Sequence, residues 1–171
     1  MEASGVTLEL ALPLRWTPRE SFPPQEVAEW MRGNVALLKA LAAFECPTRE
    51  TEPEAGMDPV LARLEAKIDL ALTLLGELAR RHQPLPEPVA VTLTSATVSW
   101  AGKAPAPQTT GVLTLYLSPP LPWPLQLPVE ILPAGEDRVN ARLLYLDEET
   151  QTWLDRTLFR HHRRRLAARS R

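Results

Sequence analysis

Apolar residues recur every three or four positions between residues 58 and 82, a spacing typical of a helix with one continuous apolar line. A sustained repeat of 3.5 residues favours a left-handed coiled coil over packing within one domain. We therefore predict an oligomerisation helix; the alternative is a long helix packed only against its own chain. The line and its immediate flank consist of Leu61, Leu64, Ile68, Ala71, Leu72, Leu75 and Leu78.

Two further segments have a helical period. Residues 25 to 44 carry a broad and partly aromatic apolar face, which predicts a packing helix. With the heptad helix they form a helical insertion over residues 25 to 82, interrupted by a polar, proline-containing connection. Residues 148 to 168 predict a C-terminal helix that caps a sheet.

The other segments alternate apolar and polar residues, which is typical of β-strands. Residues 6 to 16 form the first, and Pro13 within it indicates an edge or a bulge. A β module covers residues 88 to 147, with strands predicted over residues 89 to 100, 110 to 118, 125 to 132 and 139 to 147. The pattern predicts an α+β fold in which residues 1 to 171 form a single domain.

Charge is distributed unevenly along the 171 residues, although the formal net charge is only −2. All 21 acidic residues lie at or before Asp155, and seven arginines follow it. The basic end could attract an anionic lipid, a nucleic acid or an acidic protein surface, and the plainer interpretation is a solvated helix face. We do not expect nucleic-acid binding, because no stacking aromatics are interleaved with these arginines.

Residues for catalysis are sparse. Cys46 has no partner for a disulfide, and the three histidines lack neighbouring ligands at metal-binding spacing. We find no glycine-rich phosphate loop, nucleophile elbow or paired carboxylate motif, so we predict no enzyme activity, no metal and no cofactor. The absence of a signal peptide or membrane-spanning stretch predicts a cytoplasmic protein.

The order of these strands, followed by an acidic turn and residues 151 to 164, resembles the end of a PilZ domain. The first strand and the helical insertion look like an atypical, tetramer-forming PilZ subfamily. This resemblance implies an antiparallel PilZ-like β-barrel and a homotetramer joined by residues 58 to 82. It also implies a setting in bacterial cyclic di-GMP signalling, type IV pilus function or virulence.

Family members that bind cyclic di-GMP use an Arg-x-x-x-Arg motif and an Asp/Asn-x-Ser-x-x-Gly motif, and the resemblance identifies degenerate versions here. Arg15 and Arg19 have the first spacing. The second motif is replaced at every position, by Thr92, Thr94 and Thr97, and the β-branched Thr97 stands where glycine permits close approach of the ligand. We therefore do not expect cyclic di-GMP binding in the usual mode.

These observations predict a non-enzymatic oligomeric adaptor that binds itself and an unidentified protein partner. The alternative function is a cyclic di-GMP receptor with non-standard contacts around Arg15 and Arg19. A third is binding of an anion by the C-terminal arginines.

Overall fold

A computed structural model describes residues 7–44, 59–82, 84–103, 105–118, 123–133 and 137–169. These residues contain three helices, α1 (Pro24–Phe44), α2 (Pro59–His82) and α3 (Glu148–Arg169). They also contain six strands, β1 (Leu8–Pro18), β2 (Pro88–Leu93), β3 (Thr97–Ala101), β4 (Thr110–Leu115), β5 (Leu125–Leu132) and β6 (Arg138–Leu143). Val6, at the start of the predicted first strand, and the whole connection between α1 and α2, which includes Cys46 and Asp58, lie outside the described residues.

The six strands form a closed antiparallel barrel in the order β1-β2-β3-β6-β5-β4. β1 closes it by pairing with two neighbours in succession. Its residues from Leu8 to Pro13 pair with β2, and those from Leu14 to Pro18 pair with β4. Pro13 has no N–H to donate, and it lies where the pairing changes partner. The predicted α+β class with an antiparallel barrel is confirmed.

The contact between β1 and β4 requires a glycine. A Cβ added at Gly111 would lie 2.5 Å from the carbonyl oxygen of Thr17 and 2.8 Å from the indole nitrogen of Trp16. Gly111 is paired with Pro18 at the end of this contact, so any side chain there would push the two strands apart.

Helices α1 and α3 share one core with the barrel. Leu38 and Leu41 of α1 and Leu154 and Leu158 of α3 are buried, in one cluster with side chains from all six strands. A helix that packs against another helix and against a sheet at the same time needs a wide apolar face.

A buried amide joins α1 to the barrel wall. Asn34 is 1% exposed, and its Nδ2 donates to the carbonyl oxygen of Gln126 at 2.9 Å. Its Oδ1 accepts the backbone N–H of Gln126, also at 2.9 Å. β5 pairs with β6 only from Val129 onward, so Asn34 takes the place of a strand neighbour for Gln126.

The prediction of a single strand over residues 89 to 100 is wrong. The segment is a hairpin in which β2 and β3 are antiparallel neighbours. The turn is formed by threonines: the N–H of Thr94 donates to the carbonyl of Thr97 at 2.8 Å, and the N–H of Thr97 donates to Oγ1 of Thr94 at 2.9 Å. Hydroxyl groups provide the turn contacts usually signalled by Gly, Asn or Asp.

Two other strands end earlier than their patterns suggest. β4 ends at Leu115 and not at residue 118, and β6 ends at Leu143 and not at residue 147. After β6 the chain turns at Tyr145, which has φ 56, in the left-handed region that an L-residue with a large side chain rarely adopts.

Replacing Asn34 with alanine is expected to lower the free energy of unfolding by about 2 kcal/mol, because both backbone groups of Gln126 lose their partner. The measurement is urea unfolding followed by circular dichroism at one fixed protein concentration, since self-association would shift the midpoint.

Gly33→Ala is the matched control in the neighbouring position. Nothing lies within 4 Å of a Cβ added there, so alanine is expected to stabilise α1 by about 0.5–1 kcal/mol. Equal unfolding midpoints for Asn34→Ala and the unsubstituted protein would contradict the role assigned to Asn34.

Candidate functional site

The seam residues of α2 lie on the surface of the single chain. α2 has no extensive packing with another described element. Ala71 is exposed and Leu72 is half-buried. The large seam side chains are each about half exposed: Leu61 (48%), Leu64 (52%), Ile68 (49%), Leu75 (61%) and Leu78 (52%).

The exposed apolar surface of α2 is wider than the heptad line. Val60, Leu70 and Leu74 are 72%, 59% and 60% exposed. These three residues lie outside the predicted seam, although their apolar residue type was a usable signal. An apolar patch this long on one helix marks an interaction surface, since monomeric proteins rarely expose one.

The first degenerate nucleotide motif lies on and just after β1, and its second arginine is already occupied. Arg19 donates from Nη1 to Oε1 of Glu26 at 2.7 Å and from Nη2 to Oε2 at 2.6 Å. Its guanidinium also lies 5.4 Å from the ring centroid of Trp30. The hydrogen bonds to Glu26 raise the pKa of Arg19 above its ordinary value. This bidentate pair neutralises a charge that would otherwise attract phosphate.

The second motif also forms a hydrogen bond with another residue of the chain. Thr92 lies on β2, while Thr94 and Thr97 form the β2–β3 turn. Arg138 of β6 donates from Nη2 to Oγ1 of Thr92 at 2.5 Å, and from Nε and Nη2 to Oγ of Ser99 at 3.1 and 2.8 Å. Sequence reasoning missed Arg138 and Ser99 because only the barrel brings them to Thr92.

The structure does not bring the two motifs together. Thr92 is paired with Glu9, an acid, in the register of β1 and β2. Arg15 is six residues farther along β1 and is paired with Thr114 of β4. At about 3.3 Å per residue, roughly 20 Å of strand separates Arg15 from Glu9. A phosphate at Thr92 would therefore be close to Glu9 and far from Arg15.

An open cleft of about 660 Å³ lies beside Arg19. Thr110 closes part of it by donating from its hydroxyl to the carbonyl of Arg19 at 2.6 Å. Gln108, another residue of the lining, has φ 67, in the left-handed region of backbone conformation. The cleft offers hydroxyl and amide groups for hydrogen bonding, whereas Arg19, the arginine of its described lining, is paired with Glu26. It is lined by Pro18, Arg19, Glu20, Gln108, Thr109 and Thr110.

Aromatic side chains form a second feature near Arg19 that the sequence did not reveal. Phe22 meets Trp30 edge to face at a centroid distance of 6.3 Å and lies 5.7 Å from Tyr145. Tyr145 is 61% exposed. Tyr, Trp and Arg together are the residues that contribute most to protein–protein interfaces.

In the described part of the chain, no three metal-ligating side chains come together. Among the same residues, no helix has the length and apolar content needed to cross a membrane.

Comparisons with known proteins agree with the predicted resemblance. The family model for the atypical PilZ domain, described as a cyclic di-GMP receptor, matches residues 38–171. A similar solved structure is a pathogenic protein from Xanthomonas campestris, described as a tetrameric PilZ domain self-assembled via an unusual helical bundle. It is 29% identical, with a TM-score of 0.81, over 97% of this chain and 93% of that chain. No match was found among curated proteins. Because the family model covers well over half of its length, this chain belongs to the atypical PilZ domain family.

Proposed function

We propose that this protein is a non-enzymatic adaptor, assembled through α2, that acts in bacterial cytoplasmic signalling. The observation that carries the proposal is the long apolar face of α2, which is exposed in the single chain. The similar protein from Xanthomonas campestris supports a tetramer, and its description as pathogenic supports a role in virulence. The link to type IV pili comes from the resemblance to PilZ domains alone.

Self-assembly follows from the free energy of burying this surface. Complete burial of a leucine contributes about 1.5–3 kcal/mol, so each half-exposed seam residue has roughly 1 kcal/mol still to gain. Leu74 and Leu72 beside Ala71 broaden the seam, which favours more than two helices. Together with the tetramer described for the similar structure, this supports a homotetramer with α2 at its centre.

The state of the nucleotide motifs supports an adaptor over a receptor of the usual kind. Arg19 is paired with Glu26, and Thr92 is paired with Arg138. Binding a nucleotide across both motifs would require breaking these contacts and placing phosphate next to Glu9. An unidentified protein partner could instead use the aromatic cluster of Phe22, Trp30 and Tyr145, in which Tyr145 is exposed and the other two rings are half-buried.

The second candidate function is a cyclic di-GMP receptor with non-standard contacts around Arg15 and Arg19. The cleft beside Arg19 favours it, because Thr109 and Thr110 line a space large enough for a nucleotide base. The family description as a cyclic di-GMP receptor also favours it.

Ala71→Asp is expected to dissociate the assembly, because it places a carboxylate at the centre of the seam where assembly would remove water. Sedimentation velocity across a wide range of protein concentrations should then give a monomer. Circular dichroism should show a folded barrel, since Ala71 is exposed in the single chain.

Ala66→Asp is the matched control, because it makes the same change at an exposed position on the opposite side of α2. It should leave the assembly intact. A monomeric unsubstituted protein, or equal sedimentation of the two variants, would contradict assembly through the seam.

Isothermal titration of the intact protein with cyclic di-GMP is expected to show no tight site, because Glu26 and Glu9 oppose phosphate binding at the two motifs. Arg15→Ala should leave this result unchanged.

A tight site that is lost in Arg15→Ala and retained in Arg32→Ala would establish the receptor function instead. Arg32 is the control because it is an exposed arginine on α1 that belongs to neither motif.

A further inference from the structure

The second half of α3 carries arginines and large apolar side chains that are exposed in the single chain. Leu154, Thr157 and Leu158 face the core and are each 1% exposed. On the other side of the helix, Phe159 and Leu166 are 50% and 51% exposed. They are seven residues apart, so they lie along one line two turns long.

Arginines flank this line. Arg163 lies between Phe159 and Leu166, with its guanidinium 6.0 Å from the ring centroid of Phe159. One turn earlier, Arg156 lies 5.0 Å from the ring centroid of Trp153. An aromatic ring has no net charge, so both contacts hold the guanidinium in place without neutralising it.

Positive charge is concentrated in the part of the chain that follows Asp155, and the rest of the chain is negatively charged. No acidic residue follows Asp155, and the seven later arginines give the end of the chain a charge of +7. The residues up to Asp155 sum to −9, from 12 lysines and arginines against 21 acids. A negatively charged surface would attract α3 and repel the body, so docking would occur through α3.

We propose that the solvent-facing side of α3 from Arg156 to Leu166 docks onto an anionic phospholipid surface. The apolar line distinguishes a membrane from other anionic partners. Phe159 and Leu166 can enter the boundary between headgroups and acyl chains while the arginines around them contact phosphate. A nucleic-acid backbone offers no apolar surface to these two side chains. This inference is independent of assembly through α2.

The test is co-sedimentation of the intact protein with vesicles of phosphatidylglycerol and phosphatidylcholine in equal parts, and with phosphatidylcholine alone. Binding is expected only to the anionic vesicles, and it should be largely lost in 1 M NaCl, where the Debye length is about 3 Å. Each basic residue near an anionic membrane contributes about a fivefold factor. R163Q/R164Q should therefore bind roughly 25-fold more weakly.

Two further variants separate charge from apolar contact. R15Q/R32Q removes two exposed arginines elsewhere and should bind nearly as well as the unsubstituted protein. F159S/L166S keeps every charge, and it should also bind anionic vesicles several-fold more weakly. The proposal is overturned if the intact protein does not co-sediment with anionic vesicles, or if R15Q/R32Q weakens binding as much as R163Q/R164Q. It is also overturned if F159S/L166S binds anionic vesicles as tightly as the unsubstituted protein. The last result would mean that charge alone carries the binding, so that Phe159 and Leu166 would no longer favour a membrane over another anionic partner.

Discussion

Closure of the barrel by β1 is the constraint on which the rest of the molecule depends. One strand pairs first with β2 and then with β4, and the change occurs at Pro13. β1 and β2 are neighbours in the barrel but are separated along the chain by α1 and α2, so both helices belong to one long connection between paired strands. Within this connection, α1 is joined to the barrel by the hydrogen bond from Asn34 to Gln126. α2 makes no comparable contact with the described elements and keeps its apolar face exposed.

The same division of β1 explains why the nucleotide motifs do not form one site. Arg15 and Arg19 fall in the part of the chain beside β4, whereas Thr92 lies across from the first part of β1. In each motif, one residue has a partner within the chain. Glu26 compensates the charge of Arg19, and Arg138 uses the hydroxyl of Thr92. These contacts stabilise the fold locally, and they compete directly with any ligand that needs the same atoms.

The sequence predicted those features that depend on local period. The repeat from Leu61 to Leu78 identifies a helix whose apolar line remains exposed, and alternation identifies most strands. It failed at the β2–β3 hairpin because alternation continues through a turn formed by Thr94 and Thr97 without glycine. It could not find Arg138 beside Thr92, or Glu26 beside Arg19, because these pairs depend on strand order and on the path of the chain into α1. Register across a barrel is a property of the whole fold.

The exposed face of α2 also limits what kind of assembly can form. A long apolar helix surface left open would promote indefinite association, which is the hazard of any contact that does not close on itself. A heptad line avoids this, because its side chains are buried completely once a small fixed number of helices has come together. The Ala71 position, with Leu72 and Leu74 beside it, leaves room at the centre of the seam and apolar surface at its edge. That combination favours a closed bundle of several helices over a pair, since a pair would leave the flanking leucines in water.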